Sequence, residues 1–182
     1  ILDFMMLWSD NLLADRLAGL AARAAGYSPN IKGIDTIFRT LLAQFEIDDK
    51  KLFVADASGL SKKNKITAKL MGELLYKIRK DERYALLYES LPVGGVSGTL
   101  QNRFTTTAPS AVGLVRAKTG TLNGTATLAG YVQSKDREYV FVTLADDIAK
   151  GNAALNKARA AIDRVLGRIA APNIPAEISP AP

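Results

Sequence analysis

Two short polar motifs, which lie roughly a hundred residues apart, carry the side chains best suited to chemistry. They are Ser9-Asp10-Asn11 and Lys118-Thr119-Gly120. Together they supply hydroxyl, amide and ammonium groups, which relay protons, donate hydrogen bonds and attract carboxylates. The chain has no histidine and no cysteine, which excludes histidine triads, thiol proteases and His- or Cys-ligated metal sites. Any catalytic base must be Lys, Asp, Glu, Tyr or a group on another segment, and we expect neither a metal nor a cofactor.

Each motif also has a purely structural interpretation. Ser, Asp and Asn are the preferred residues at helix N-termini, and Ser9-Asp10-Asn11 stands just before a run with helical spacing. Lys118-Thr119-Gly120 could simply end a strand in a glycine turn. Either motif alone therefore leaves a structural and a functional role open.

The elements that must position these motifs follow from hydrophobic spacing. Three-four periodicity predicts helices from Ser9-Asp10-Asn11 to Gly26, from Ile34 to Phe45, and from a Thr67 cap to Ile78. Turn formers at 91–100 predict a loop leading to a short helical turn. Strands are predicted at 112–118, 126–133 and 139–144, with a tight turn at 134–137, and a closing helix is predicted at 152–169. Short turns between consecutive strands predict an antiparallel sheet, giving an α/β (α+β) fold.

Composition sets the range of partners. A chain of 182 residues with 48% hydrophobic residues is sized for one folded domain. A net charge of +6 suits an anionic partner such as nucleic acid, an anionic lipid surface or a wall polymer. The basic residues are scattered, which argues against nucleic acid, and no apolar run is long enough to predict a transmembrane segment. Because the chain opens with Ile1 inside an apolar stretch, we expect an upstream part, including any export signal, to be missing.

Longer strings around both motifs resemble class C penicillin-binding proteins, in the same order along the chain. These strings are residues 8–14, 56–61, 91–100, 115–122 and 128–132. The resemblance covers residues 1 to about 168. It implies the penicillin-recognising serine transpeptidase/β-lactamase-like fold, incomplete at the N-terminus. Residues 1–170 would be the C-terminal portion of the catalytic domain, with a helical lobe at 1–108 and three strands and a closing helix at 109–170. The proline-rich tail at 171–182 is predicted to be disordered.

The resemblance also implies function and roles. It implies a serine D-alanyl-D-alanine carboxypeptidase/endopeptidase that works outside the cytoplasm, acts on peptidoglycan stem peptides ending in D-Ala-D-Ala, and is acylated by β-lactam antibiotics. The implied catalytic residues are Ser9 as proton relay, Asn11 as orienting amide and Lys118 as fixed charge. Thr119, Gly120 and the Thr121 N–H would bind substrate, the last as half of an oxyanion hole. Asp10, Asp56, Ser58 and Gly98 are expected to have structural roles near the cleft.

The nucleophile of such enzymes is the serine of an S-x-x-K motif, and this chain departs from that pattern. None of its serines is followed by lysine three residues later. We expect the nucleophile to lie in a missing N-terminal half of the same protein, and residues 1–182 alone to be inactive. Two alternatives stay open: a β-lactamase or esterase of the same fold, and a non-catalytic wall-binding module.

Overall fold

The computed structural model describes residues 1–172, in which helices surround one sheet. The helices are α1 (Leu2–Trp8), α2 (Asn11–Ala24), α3 (Ile31–Gln44), α4 (Ala68–Arg79), α5 (Ala85–Glu89) and α6 (Asn152–Ala170), and the strands are β1 (Val115–Leu122), β2 (Thr125–Ser134) and β3 (Arg137–Ala145). Short 3-10 turns lie at Glu82–Tyr84, Gly98–Leu100 and Pro109–Ala111. The predicted disordered tail falls mainly on residues 173–182, which lie outside the described residues.

The sheet is antiparallel in the order β1-β2-β3, as the short connections predicted. Ser134 pairs with Arg137, so Lys135 and Asp136 form a two-residue hairpin turn. Lys135 takes the left-handed conformation there, with φ 52°, which suits the twist of a tight hairpin. The α+β class predicted from the sequence is confirmed.

The bounds predicted for the first strand, 112–118, are wrong. The strand begins at Val115 and continues through Lys118-Thr119-Gly120 to Leu122. Gly113 has φ 77° and its N–H donates to the Gly94 carbonyl at 2.8 Å, so the chain is still turning where a strand was expected. The motif therefore lies within a strand, where its backbone can meet a ligand, rather than in a turn at the strand's end.

Two helices begin with capping side chains at the positions predicted from the sequence. The Asp10 carboxylate accepts from the Leu13 N–H at 2.8 Å, and the Thr67 hydroxyl accepts from the Leu70 N–H at 3.1 Å, so each satisfies a free N–H of a first turn. The helices α1 and α5 were not predicted. With seven and five residues, each spans too few turns for a periodic pattern to appear.

The main core lies between the sheet and α6, on the side facing away from α4. Its largest side chains with 2% or less exposure are Leu100, Phe104, Val115, Leu128, Val132 and Leu166. Beside this core, the Arg103 guanidinium pairs with the Asp163 carboxylate, which is 3% exposed. On the opposite face, the buried Tyr131 hydroxyl donates to the Leu75 carbonyl of α4 at 2.9 Å. Helices thus pack against both faces of the sheet, α6 on one face and α4 on the other.

The helices within residues 1–172 are not suited to crossing a membrane. None of them is both long and apolar enough to span a bilayer.

Candidate active site

The structure brings Ser9 and Lys118 into direct contact. Ser9 ends α1 in the left-handed conformation, with φ 57° and ψ 50°, and this sharp turn presents its side chain between α1 and α2. The Lys118 ammonium donates to the Ser9 hydroxyl at 2.6 Å and to the Thr119 carbonyl at 3.0 Å. Two motifs separated by 109 positions in the sequence thus form one hydrogen-bonded pair.

Burial changes the acidity of Lys118. Because the surroundings disfavour the charged form, they lower the pKa of the Lys118 ammonium from 10.5 to about 8. An exposed lysine keeps its proton at neutral pH. With a pKa of about 8, Lys118 can exchange a proton with its hydroxyl partner during a reaction.

The outer edge of β1 is open along its second half. The Ala117 N–H donates to the Pro92 carbonyl at 3.0 Å, and the Val115 carbonyl accepts from the Gly94 N–H at 2.9 Å. Backbone groups alternate between the two sides of an antiparallel strand, so those of Thr119 and Thr121 also point to this edge, away from β2. The segment at Pro92 borders only the start of the strand, through one bridge at Val93–Arg116. A peptide could therefore add to the edge at Thr119 and Thr121.

Hydroxyl groups cluster beside that edge. The Thr99 and Thr119 hydroxyls lie 2.9 Å apart, and either can be the donor. Thr99 is positioned by Gly98, whose φ is 54° and where an added Cβ would lie 2.5 Å from the Leu7 carbonyl oxygen. Only glycine fits a left-handed residue at so close an approach. Gly98 thus lets this turn pack against α1, next to Ser9.

Asn11 lies in the first turn of α2, two residues from Ser9. Its side chain is half-buried, and its amide makes no hydrogen bond to any residue within 1–172. An amide in that position can both donate and accept, so it can still orient a ligand. Its catalytic role stays a prediction.

Asp56 organises a loop rather than joining the Ser9–Lys118 pair. Its carboxylate accepts from the N–H groups of Gly59 and Ser61 at 2.7 and 2.6 Å and from the Asn64 amide at 2.8 Å. Burial raises the pKa of the Asp56 carboxyl, but these hydrogen bonds outweigh it and the net pKa is lowered. The geometry is that of a turn-forming residue.

The same loop is tied to two neighbouring elements. The Ser58 N–H donates to the Asp15 carboxylate of α2 at 2.9 Å. The Lys62 ammonium donates to the Asn123 carbonyl, in the β1–β2 turn, at 3.3 Å. Ser58 thus contributes its backbone here, and the loop closes one end of the space beside β1.

That space is a cleft of about 810 Å³ between the sheet and the helices α1, α4 and α5. Lys118 and Thr119 form part of its wall, and the rest is largely apolar, including Met6, Met71, Leu75, Ile78, Leu87, Leu91, Ala129, Tyr131 and Leu144. Within residues 1–172, no cluster of three or more carboxylates could hold a metal ion. The site is therefore a largely apolar trough with Lys118, the hydrogen-bond partner of Ser9, in its wall.

Sequence comparison places this arrangement in a known family. The profile of the D-Ala-D-Ala carboxypeptidase 3 (S13) family matches residues 1–169. The chain belongs to the S13 family. This confirms the resemblance drawn from the ordered motifs.

Similar proteins agree with the S13 assignment. Carboxypeptidase DacB of Mycolicibacterium smegmatis is 34% identical over 168 residues, which are 90% of this chain and 36% of that protein. The crystal structure of penicillin binding protein 4 (dacB) from Haemophilus influenzae matches with a TM-score of 0.82 and 30% identity, over 91% of this chain and 38% of that one. A second structure of that protein, complexed with a novel beta-lactam, matches with a TM-score of 0.80 and 29% identity, over 91% and 39%. The fold is the penicillin-recognising fold, and the S13 chain spans about a third of the relatives' length.

Sequence reasoning missed one residue beside the site. An Arg159 N–H on α6 donates to the Thr121 hydroxyl at 3.0 Å. No spacing could have revealed it, because the contact joins positions 38 apart that only helix packing brings together. A lone arginine on an amphipathic helix looks like any solvated residue.

Proposed function

We propose that residues 1–182 form the substrate-binding and proton-relay part of a serine D-alanyl-D-alanine carboxypeptidase/endopeptidase. The observation that carries this proposal is the 2.6 Å hydrogen bond from the Lys118 ammonium to the Ser9 hydroxyl. Lys118 lies in the wall of the cleft, next to an open strand edge. A hydroxyl joined to a lysine whose pKa lies near 8 is suited to moving protons without histidine.

The proposed reaction is acyl transfer in two stages. A nucleophilic serine, from an S-x-x-K segment outside these residues, attacks the carbonyl of the penultimate D-Ala and gives its hydroxyl proton to the lysine of that motif, from which the proton later passes to Ser9. The Thr121 N–H, which points to the open edge, stabilises the oxyanion that forms. When the C–N bond breaks, the departing amine takes a proton through Ser9, and the Lys118 ammonium beside it holds the relay in place. Water then releases the acyl group and regenerates the serine.

The apolar cleft offers a surface on which the S-x-x-K segment could pack. Its wall includes apolar side chains that are only partly buried, such as Met71, Leu75 and Leu87, and covering such surface favours association. We propose that the S-x-x-K segment packs in this cleft, which would set its serine near Lys118. Residues 1–182 would then be inactive until that segment is present.

The proposed substrates are peptidoglycan stem peptides ending in D-Ala-D-Ala, and β-lactams would acylate the same serine. Peptidoglycan lies outside the cytoplasm, so we propose an extracytoplasmic location. The net charge of +6 suits work on an anionic wall polymer. We place the helical lobe at 1–108 and the sheet with its closing helix at 109–170, with the substrate lying between them.

The test is acylation of the protein that carries both residues 1–182 and the S-x-x-K segment. A fluorescent penicillin should label it, and Ser9→Gly, which tolerates the left-handed backbone, should slow turnover of a D-Ala-D-Ala peptide by about 100-fold or more. Lys118→Ala should have a similar effect, whereas the matched control Lys157→Ala on the exposed side of α6 should not.

Three outcomes would contradict the proposal. If the wild-type protein is never labelled, a non-catalytic wall-binding module becomes the better account. If it turns over penicillin or simple esters faster than the peptide, it is a β-lactamase or esterase. If Ser9→Gly and Lys118→Ala match the Lys157→Ala control, the relay is wrong.

A further inference from the structure

A second apolar pocket lies in the helical part of the chain, between α3, α4 and the connection that joins them. We call it the α3–α4 pocket. Its volume is about 330 Å³, which lies within the range of small-molecule sites. Its apolar lining includes Phe38 and Leu41 from α3, Leu52 and Val54 from the connection, and Leu70 and Leu74 from α4.

The α3–α4 pocket is the gap between two small cores. Phe38 and Val54 pack against a core between α2 and α3. Leu52 and Leu74 pack against a core between α3 and α4. All four side chains line the pocket and remain partly exposed. An apolar group that covered this surface would therefore bind favourably.

Three polar side chains also line the pocket, and two of them are already bonded within the connection. The Asn64 amide donates to the Asp56 carboxylate at 2.8 Å and accepts from the Ala55 N–H at 2.7 Å. The third, Lys65, is exposed, and its ammonium makes no hydrogen bond or ion pair within residues 1–172. Lys65 is therefore the polar lining group that can still bind a ligand.

Lys65 lies at the mouth of the pocket, beside an exposed ring. The backbones of Phe53 and Lys65 exchange two N–H···O=C hydrogen bonds of 2.9 Å each, which places their side chains on the same face. Phe53 is 54% exposed. The mouth thus combines an apolar ring with a positive charge, and that combination suits a ligand with an apolar body and an anionic end.

We propose that the α3–α4 pocket binds a fatty acid, an alkyl chain that ends in a carboxylate. A water-sized group occupies about 30 Å³, so the pocket has room for a chain of about ten carbons. The chain would lie between the two cores, and its carboxylate would accept from the Lys65 ammonium. Asp56 would repel it little, because the N–H groups of Gly59 and Ser61 surround the Asp56 carboxylate.

The α3–α4 pocket shares part of its wall with the cleft of the candidate active site. Gly59, Asn64, Ile66 and Met71 line both spaces, whereas Met6 lines only the cleft. A fatty acid in the pocket would therefore contact residues that also face the cleft, without entering the cleft itself. The two methionines can report which space a ligand occupies.

The experiment measures binding of decanoate by calorimetry to the protein that carries both residues 1–182 and the S-x-x-K segment. Each methylene removed from the chain should weaken binding about fourfold. Lys65→Met should weaken decanoate binding about 3- to 5-fold, the range of an exposed ion pair, and should leave binding of neutral decanol unchanged. The matched control Lys69→Met, at a side chain that is 84% exposed, should bind decanoate like the wild type.

Methyl NMR then locates the ligand. Decanoate should shift the Met71 methyl signal, assigned with Met71→Leu, and leave the Met6 signal unchanged. A shift of the Met6 signal would place the ligand in the cleft and overturn the inference. Equal losses for Lys65→Met and Lys69→Met would do the same, as would a protein that binds no decanoate because another part of the chain covers the pocket. None of these results involves labelling by penicillin, so the proposed function is tested separately.

Discussion

Lys118→Met is the most informative single change, because it removes a partly buried charge and leaves an unbranched apolar side chain that is only slightly shorter. Burial lowers the pKa of Lys118 from 10.5 to about 8. Without any screening by water, this shift corresponds to a free-energy cost of roughly 3 kcal/mol for keeping the charged form in the folded protein. The side chain is only half-buried, so screening by water reduces this to about 1–2 kcal/mol.

The sign of the pH dependence follows from the lowered pKa. Below about pH 8 the folded and unfolded forms both carry the charge, and the folded form bears the full cost of burying it. Between pH 8 and 10.5 the unfolded chain keeps a proton that the folded chain has released, so the unfolding free energy rises with pH. Below pH 8 this stabilisation is lost.

The assay is urea unfolding of the wild type and of Lys118→Met at intervals from neutral pH to about 10.5. The wild type should gain about 1–2 kcal/mol relative to the variant across that range. Losing the hydrogen bond to Ser9 adds an offset that does not change with pH. The control Lys157→Met, at an exposed position, should give a flat difference, and a flat difference for Lys118→Met would refute the reasoning.

Three further changes test the fold around the site. Gly130→Ala should destabilise the protein by about 1–3 kcal/mol in urea unfolding, because an added Cβ would lie 2.6 Å from the Cα of Ala117 in the paired strand. An unchanged urea midpoint would contradict the pairing of Gly130 with Ala117 between β2 and β1. Asp163→Ala should cost about 3–5 kcal/mol in the same assay, because it leaves the mostly buried Arg103 charge without its carboxylate, and a loss below 1 kcal/mol would show that water reaches this pair. Asp56→Ala should speed tryptic cleavage of the loop that its hydrogen bonds hold, with global stability nearly kept; equal cleavage rates would refute its organising role.

Much of the fold was predictable, because local rules govern it. The Asp10 and Thr67 caps, the helical spacing and the hairpin at Lys135 all depend on neighbours within a few residues. The start of the first strand was misplaced because Gly113 bonds to Gly94, a partner that spacing does not reveal. The helix α1 escaped notice because seven residues give too little periodicity.

The features of the site also fall into those that the sequence predicted and those that depended on tertiary packing. The sequence by itself supplied the kinds of group, the exclusion of histidine and cysteine chemistry, and the pairing of Ser9-Asp10-Asn11 with Lys118-Thr119-Gly120 as a family pattern. Only the tertiary structure decided that Ser9 and Lys118 touch, that the Lys118 pKa falls, and that Arg159 joins Thr121. Contact distance and desolvation depend on how distant segments pack, and no local pattern of residues records that packing.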